Sequence, residues 1–223
     1  MTAILFFSSA ARAMPIGGLY DLGPGDRLVT GEATWIGRTI LDAGKKEHIQ
    51  EKIALASFIY GLNDRLTVSA GAGWMGFEIN PVGTASVTRR MPEEGSLYGR
   101  FGVQALLFRG SGYWEGMSLA ADIRGAGASG FEAAETDLDF TEWQVGLLVR
   151  KDHAANMTLT AGGYWSDIRM RGILAGSAAN LHPRTHLTGV VAAGMPIRGP
   201  YSWTLEGRFG AEGGVSLFLM RAF

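Results

Sequence analysis

The sequence predicts an all-β protein: an antiparallel, up-and-down transmembrane β-barrel of ten strands, with eight strands as the alternative. Apolar and polar residues alternate with a period of two along nearly the whole chain, which is typical of strands with two different faces. Short turns and longer linkers also alternate, as they do in an antiparallel meander. Finally, the chain contains 16 Arg but only 4 Lys, although surfaces in contact with bulk water usually carry many Lys.

The composition excludes several classes of protein. A length of 223 residues suits one domain of moderate size, and the net charge of −1 lacks the basic excess that nucleic-acid binding needs. The absence of Cys rules out a disulfide framework, a thiol nucleophile and a thiolate metal site. No stretch of the sequence reaches the about 18 consecutive apolar residues of a membrane helix. We predict no cofactor.

The first residues have the character of a secretory signal peptide. Residues 3–7 (AILFF) are apolar, and the triplet Ala11-Arg12-Ala13 has the small-x-small pattern that signal peptidase cleaves. The basic region that should precede the apolar stretch is reduced or missing, and a frayed N-terminal strand is the alternative. We expect a signal-peptide remnant at 1–13, a periplasmic N-terminal segment at 14–26 and the transmembrane β-barrel at 27–223.

Ten segments carry the period-two pattern, and each has one apolar or small parity and one polar parity. In the second segment, for example, Ile49, Ile53 and Ile59 alternate with Gln50 and Lys52, so we expect these isoleucines to face lipid. In chain order the apolar parities run over Val29–Trp35, Ile49–Ile59, Leu66–Trp74, Phe101–Leu107, Met117–Ile123, Trp143–Val149, Met157–Trp165, Leu187–Met195, Trp203–Phe209 and Val215–Phe223.

The connections between these segments are of two kinds. Longer linkers near 42–47, 79–96, 125–138 and 170–184 alternate with short turns, which places the tight turns at one end of the barrel. Glu212–Gly214 departs from the rule, because a short connection falls at the loop end. The glycine-rich stretch Gly125–Gly130 is predicted to be a flexible extracellular loop, since it lacks the Lys-Ser/Thr ending of a phosphate loop. The short turns contain residues that tolerate tight-turn dihedrals: Asn63-Asp64, Gly110–Gly112, Asp152–Asn156 and Arg198–Pro200.

The alternation alone does not show whether the apolar or the polar face of the barrel contacts water. A soluble barrel has its apolar residues inside, and a membrane barrel has them outside. The polar parity here is rich in Gly, Ala, Ser and Thr with scattered charges, which suits a crowded, closed lumen; a soluble barrel or sandwich is the alternative. We expect a charge network in the lumen, formed by Glu32, Arg38, Lys52, Arg100, Asp122, Arg124, Glu142, Arg150, Glu206 and Arg208.

Aromatic residues concentrate near the strand ends. Two belts of amphipathic rings are typical of the two interfaces of a membrane. The predicted girdle consists of Trp35, Trp74, Trp143 and Trp165 toward the loop end, with Trp114 and Trp203 toward the tight-turn end.

The last strand, GVSLFLMRAF (Gly214–Phe223), ends in an aromatic residue and carries Val215, Leu217 and Leu219 on the same face as Phe223. It resembles the C-terminal assembly signal of bacterial outer-membrane β-barrel proteins. The resemblance implies export, recognition by the barrel assembly machinery, and a multi-pass location in the bacterial outer membrane. Arg221 departs from the pattern, because the family usually has an apolar or aromatic residue there; its side chain can reach the interface.

The function predicted from these features is structural or recognition-based, acting through long extracellular loops around a largely closed lumen. Charges confined in a narrow lumen must pair. One alternative is a narrow diffusion channel with a weak anion preference, because six of the ten predicted lumen charges are basic. A second alternative is a rim hydrolase of lipids or peptides, with Ser177 and His186 as a conceivable pair beside His48 and His182, while His153 lies in a periplasmic turn. We assign no catalytic residue and no metal site.

The predicted partners are outer-membrane lipids, including lipopolysaccharide, and an unidentified protein that would contact the loops. One loop carries basic groups that can contact lipid phosphates, and another carries acidic groups that can hold divalent cations bridging the same lipids. Ordinary solvated loops are the alternative for both. The basic group is Arg169, Arg171, His182 and Arg184, and the acidic group is Glu132, Glu135, Asp137 and Asp139.

Overall fold

The fold is built almost entirely of strands. A computed structural model of the chain describes residues 22–42, 45–81, 89–90, 96–133, 136–153, 157–174, 177–183 and 186–223; the expected signal-peptide remnant at 1–13 lies outside them. Within this part no helix is long and apolar enough to cross a membrane. The strands are β1 (Arg27–Asp42), β2 (Lys45–Asn63), β3 (Leu66–Pro81), β4 (Arg89–Arg90), β5 (Ser96–Arg109), β6 (Met117–Ala133), β7 (Thr136–Asp152), β8 (Thr158–Leu174), β9 (Ser177–Pro183), β10 (Leu187–Pro196), β11 (Tyr201–Gly210) and β12 (Glu212–Ala222).

Antiparallel pairing closes these strands into a barrel. Neighbours in sequence pair with each other, apart from the two-residue β4, which flanks β3, and from β9 and β10; β12 returns to pair with β1. β9 and β10 pair with successive halves of β8, with Ser177 opposite Leu174 and Leu187 opposite Trp165, so together they occupy one position. The barrel therefore has ten strand positions, which confirms the predicted fold class. Closure gives the backbone N–H and C=O groups partners that lipid cannot supply.

The barrel narrows toward one end. β11 and β12 are short, and the turn between them at Ala211 stops well below the ends of β1 and β8. Above this turn β9 pairs directly with β1, with Leu41 opposite His182. The barrel thus has the ten strands that the sequence predicts, and the number around the wall falls to eight where β9 pairs with β1. The turn expected at Glu212–Gly214 lies one residue earlier, and those residues begin β12.

The two ends of the barrel are distinguishable. The Phe223 N–H donates to the Arg27 carbonyl oxygen over 3.0 Å, so the first and last strands start and finish at the same end. The connections between β2 and β3, β5 and β6, β7 and β8, and β10 and β11 also lie there. In transmembrane barrels the longer extramembrane part is extracellular, and here the strands at the end opposite Phe223 continue well beyond the tryptophans before they turn. We call the end with Phe223 the periplasmic end and the opposite end extracellular.

Side-chain orientation follows the predicted parity in every segment except the second. On β7, Trp143, Val145 and Leu147 are about half exposed on the outer surface, while Glu142 and Gln144 are buried inside. The period of two is the geometric consequence of the pleat, because successive Cβ atoms point to opposite faces of a sheet. The exterior of the lower barrel is accordingly apolar.

β2 faces the other way from the prediction. Ile49, Ile53 and Ile59 are buried in the lumen, whereas the side chain of Lys52 faces outward. The apolar parity of β2 points inward because it supplies side chains to two internal apolar clusters, one near each end of the barrel. Lys52 lies opposite Trp35 on β1, at a level where a Lys side chain can reach water from an interface.

The predicted long loops are mostly strand. β1 and β2 are separated by residues 43–44 alone, β6 and β7 by 134–135, and β8 and β9 by 175–176. The glycine-rich stretch Gly125–Gly130 lies within β6 and is not a loop. The strands continue about 23 Å beyond the tryptophans (seven residues on β7, at ~3.3 Å each) and pair with each other as protruding hairpins.

Polarity inverts where these hairpins begin. Below the tryptophans of the loop end, the outer surface is apolar and the inside is charged. Above them, most outward positions are polar, with Ile173 and Ala178 as apolar exceptions. The polar positions are Gln50, Glu78, Asp139, Thr141, Arg169, Arg171, Asn180 and His182. The inside of this upper part is instead filled by an apolar cluster, which extends down β2 as far as the partners of Thr34 and Glu32. We call it the upper core: Ile49, Ile53, Leu55, Met75, Tyr98, Ala128, Phe140, Ile168, Met170 and Leu181. The outer surface of the lower barrel is thus suited to contact lipid, and the outer surface of the upper barrel is suited to contact water.

We expect the orientation of β2 to be visible by chemical labelling, since the chain has no native Cys. In reconstituted vesicles, Lys52→Cys should react with a hydrophilic, membrane-impermeant maleimide, because residue 52 faces outward. Ile53→Cys, one residue along, should react only after the protein is unfolded, because residue 53 faces the upper core. The opposite pattern of labelling would show that β2 has the parity predicted from the sequence.

Candidate functional site, a charged layer across the lumen

The buried charges form a layer inside the lower barrel. Nine of the ten predicted residues point into the lumen: Glu32, Arg38, Arg100, Asp122, Arg124, Glu142, Arg150, Glu206 and Arg208. The tenth, Lys52, faces outward with the reversed parity of β2, so its assignment is corrected. Two further carboxylates, Glu51 and Glu212, are fully buried in the same layer and complete it.

One ion pair crosses the lumen from β1 to β5. The guanidinium of Arg100 donates to both carboxylate oxygens of Glu32, through Nη1 over 3.2 Å and through Nη2 in a closer contact. Thr34 Oγ1 contacts the same carboxylate over 2.8 Å. β1 and β5 are separated by two intervening strands, so this bidentate contact spans the interior. Bidentate guanidinium–carboxylate pairs are the strongest and most directional ion pairs available to a protein.

Arg38 is the centre of a second set of contacts. Its guanidinium lies 2.7 Å from Glu51 on the neighbouring strand, 3.3 Å from Glu212 on β12 and 3.3 Å from Glu142 on β7, across the lumen. Gln144, two residues along the same strand, donates to Glu142 over 2.8 Å and fixes that carboxylate. A single buried cation therefore joins four strands of the barrel.

The remaining charges pair along the wall. Arg208 Nε donates to Glu206 over 2.7 Å, and Nη1 donates to Glu212 over 3.2 Å, which connects β11 to the Arg38 group. Arg124 Nε lies 2.6 Å from Asp122, and its guanidinium also stacks over the ring of Tyr164. Toward the periplasmic end, Arg150 pairs with Asp152 over 2.8 Å, and Thr158 contacts the same carboxylate.

These contacts leave little free space. The cavity that remains in the charged layer has a volume of about 20 Å³, and it is lined by Glu32, Arg100, Glu142 and Arg208 among others. A site needs about 10–15 Å³ to hold one water molecule, so this cavity admits one or two. On the periplasmic side, Leu22, which precedes β1, packs with Ile59 and narrows the lumen further.

The charge balance of the layer differs from the prediction. Among the described lumen side chains, and leaving aside the partly exposed Asp152 at the periplasmic end, six are acidic (Glu32, Glu51, Asp122, Glu142, Glu206 and Glu212) and five are basic (Arg38, Arg100, Arg124, Arg150 and Arg208). The predicted basic bias came from counting Lys52 and from missing Glu51 and Glu212. The anion preference suggested from that bias therefore loses its basis.

The aromatic residues occupy the outer wall as two bands. Trp35, Trp74, Trp143 and Trp165 are exposed toward the extracellular end, and Phe101 packs edge-on against Trp143 at 5.3 Å. At the periplasmic end Trp114 lies in the turn before β6, and Trp203 is half-buried near the start of β11. Amphipathic rings collect at the two interfaces of a bilayer.

An apolar, aromatic-banded exterior around a charged interior identifies the type of barrel. The chain has the fold of a bacterial outer-membrane β-barrel. One solved structure with this fold is an outer membrane channel from Pseudomonas putida F1, with 12% identity over 91% of this chain and 97% of that one, and a TM-score of 0.54.

Two further outer-membrane barrels are similar at lower TM-scores. The outer membrane protease OmpT of Escherichia coli has 10% identity over 92% of this chain and 99% of that one, with a TM-score of 0.47. The translocator domain of the autotransporter NalP of Neisseria meningitidis has 11% identity over 91% and 89%, with a TM-score of 0.46. No family model and no curated protein matches the sequence. The predicted outer-membrane fold and location are confirmed, while the subfamily is not defined.

The C-terminal strand of this outer-membrane barrel is placed as its resemblance implied. Val215, Leu217, Leu219 and Phe223 all face outward and are about half exposed. The unusual Arg221 lies over the rings of Phe223, at 4.6 Å, and Tyr201, at 5.7 Å, at the periplasmic interface. A cation over aromatic faces is a favourable arrangement at a partly hydrated site. Recognition of this strand by the assembly machinery stays a prediction.

The Ser177–His186 pair does not form in this barrel. Ser177 lies opposite Leu174 near the extracellular tip, whereas His186 lies beside Ser166, eight residues lower on β8. The two backbones are thus about 26 Å apart along the strand, far beyond hydrogen-bond reach. His186 instead donates from Nδ1 to the Ser166 carbonyl oxygen over 2.6 Å and stacks on Trp165.

The other rim residues spread over the outside of the hairpins. His182 and Asp139 are exposed on separate strands, β9 and β7, and His48 on β2 lies over Gly37. Arg169 and Arg171 are exposed on β8, and His153 lies in a periplasmic turn as predicted. Arg184 and Glu135, together with the side chains of Glu132 and Asp137, lie outside the described part.

Arg38→Met should be strongly destabilising. It leaves Glu51, Glu142 and Glu212 buried without their shared cation, which we expect to lower the free energy of unfolding by about 3–5 kcal/mol. Lys52→Met is the matched control and should change it by less than about 1 kcal/mol, because residue 52 faces outward. Urea unfolding in lipid vesicles, followed by tryptophan fluorescence, measures both. Equal effects would mean that the Arg38 contacts contribute little.

Proposed function

We propose that this outer-membrane barrel does not conduct, and that it serves a structural or surface-recognition role through its extracellular hairpins. The observation that carries the proposal is the crossing of the lumen by two ion pairs, Glu32–Arg100 and Arg38–Glu142, around a cavity of only about 20 Å³. Both pairs join strands that are not neighbours in the wall. A solute larger than water would have to break them to pass.

The upper core supports the same proposal. Its buried side chains, among them Phe140, Tyr98 and Met75, fill the interior above the charged layer. Solutes entering from outside would therefore meet an apolar plug before they reached any charge. Outer-membrane barrels with plainly open channels use many more strands than ten.

The hairpins are suited to recognition because they are ordered by pairing. β7 and β8 pair from Asp152–Thr158 up to Asp137–Ile173, far above the tryptophan belt. A paired hairpin loses less conformational entropy on binding than a flexible loop. Its polar outer positions are presented to water at fixed spacing, which is what a protein or saccharide partner can bind.

A narrow diffusion channel is the second candidate. It is supported by buried polar atoms, such as Glu51 Oε1 and Glu206 Oε2, that have no hydrogen-bond partner among the described residues. Buried polar atoms of this kind are usually satisfied by water. A thin file of water along the wall would satisfy them, and the similar barrel of Pseudomonas putida F1 is itself described as a channel.

Planar-bilayer recording decides between the two candidates. The wild-type protein should give no steady single-channel current. The double variant Glu32→Ala/Arg100→Ala, which removes one ion pair from the lumen, should give a current or raise the leak. The double variant Asp167→Ala/Arg169→Ala removes an ion pair of the same kind from the outer surface and should remain silent.

A steady ohmic current from the wild type would overturn the proposal and favour the channel. The recognition role has a separate test in a deletion strain. The wild-type chain and the Lys52→Met variant, which changes an outward residue below the hairpins, should restore the wild-type phenotype, but a chain with the β8–β9 hairpin shortened should not. Full restoration by the shortened chain would contradict a role for that hairpin.

A further inference from the structure

The outer wall carries a groove that is separate from the charged layer in the lumen. It has a volume of about 670 Å³ and crosses β3, β5, β6, β7 and β8. Its floor follows one row of paired residues across the strands: Ala72, Gly99, Gly127 and Thr141, ending at Arg169. Because no side chain in this row before Arg169 is larger than Thr, the row forms a depression between taller neighbours.

The walls of the groove are apolar. One row lower, Phe101 and Trp143 form their edge-on pair and close over Gly125. On the upper side Leu97 is 67% exposed and lines the groove directly. The rings belong to the extracellular tryptophan band, so the groove opens sideways toward the outer leaflet of the bilayer.

One end of the groove is charged. Asp139 and Arg171 both line it and are register partners on β7 and β8. Arg169, two residues below Arg171 on the same face, forms an exposed ion pair with Asp167 over 3.0 Å. These side chains lie where the exterior changes from apolar to polar, at the level of lipid headgroups.

We propose that the groove binds a phosphorylated glycolipid of the outer leaflet. One acyl chain lies along the small-residue floor beside Leu97, and a phosphate is held by Arg171. The guanidinium fork matches phosphate oxygens, and Asp139 accepts hydrogen bonds from sugar hydroxyls. A phospholipid without a sugar would leave the Asp139 carboxylate facing phosphate with no donor between them.

The dimensions agree with this occupant. The volume lies within the about 300–1,000 Å³ of typical small-molecule sites. Lipid also adjoins the lower side of the groove, where the exposed rings of Phe101 and Trp143 belong to the belt. The inference concerns the exterior only, so it does not depend on whether the lumen conducts.

Native mass spectrometry of the purified full-length protein in detergent tests the charged end. The probe is a hexa-acylated, bis-phosphorylated glucosamine disaccharide added at increasing concentration. Arg171→Gln should bind it about tenfold more weakly, the effect of one charge-assisted hydrogen bond. Lys52→Gln is the control, because it removes an outward-facing basic residue elsewhere in the same band. The dephosphorylated form of the probe should bind the wild type about as weakly as Arg171→Gln binds the intact probe.

A second pair of variants tests the apolar floor without touching a charge. A Cβ atom at Gly99 or at Gly31 would meet nothing within 4 Å, so both positions accept a side chain. Gly99→Phe fills the groove and should abolish binding of the probe. Gly31→Phe adds the same ring to the lipid-facing side of β1 and should bind as the wild type does. Heat-modifiable gel migration verifies that each variant is folded.

Three results would overturn the proposal. They are unchanged binding by Arg171→Gln, equal binding by Gly99→Phe and Gly31→Phe, and binding of phosphatidylglycerol as tight as that of the glycolipid. The last result would show that the groove holds any anionic lipid. If Gly99→Phe fails to fold, the comparison of Arg171→Gln with Lys52→Gln and of the two probe forms decides the question.

Discussion

The ion pairs that cross the lumen are the contacts on which the rest of this barrel depends. Glu32–Arg100 and Arg38–Glu142 join strands that are not neighbours in the wall, around a cavity with room for only one or two water molecules. Isolated charges there would be prohibitively costly, so each must find a partner within a few ångströms. This requirement explains why Arg38 is shared by three carboxylates, while the lipid-facing exterior of the lower barrel is apolar.

The inner and outer faces of the barrel exchange polarity once along its axis, because the lower part contacts lipid and the upper part contacts water. In the lower barrel charges lie inside and apolar side chains lie outside, because hydrocarbon surrounds the wall. Above the tryptophan belt, Asp139 and Thr141 lie outside and Phe140 lies inside, because water surrounds the wall. The upper part is thus a small soluble-type barrel with its own apolar core, placed on top of a membrane-type barrel. The reduction from ten strands to eight at this point narrows the lumen that the upper core must fill.

Much of the fold could be predicted from the sequence, because a period of two is a direct consequence of strand geometry. The alternation on β7 or β12, the girdle and the C-terminal strand all follow from it. The orientation of β2 could not be predicted in this way, because its apolar Ile49 faces the lumen and its charged Lys52 faces outward. The prediction had assumed that apolar side chains face lipid. That assumption fails wherever the barrel has an apolar core of its own. The protruding hairpins were mistaken for loops because their polar outward positions resemble loop composition.

The charged layer was predicted in outline but not in its connections. Alternation alone placed nine of its members in the lumen. Glu51 was missed because the parity of β2 was reversed, and Glu212 because Glu212–Gly214 was taken as a turn. No sequence pattern indicates which strands face each other across a barrel, so the contact between Arg38 and Glu142 required the three-dimensional structure. The sequence also could not predict the row Ala72, Gly99, Gly127 and Thr141, because it depends on the register of four strands.

Site-directed spin labelling along β7 tests the central claim most directly, with one label at a time from residue 139 to residue 149 in reconstituted vesicles. Labels at Val145 and Leu147 should be relaxed by oxygen, which concentrates in lipid, and labels at Asp139 and Thr141 by a water-soluble nickel complex. Labels at Glu142 and Gln144 should be accessible to neither reagent. Access of the nickel complex to these inward positions would show an open, water-filled lumen, and a constant profile along the outward positions would show that polarity does not invert at the belt.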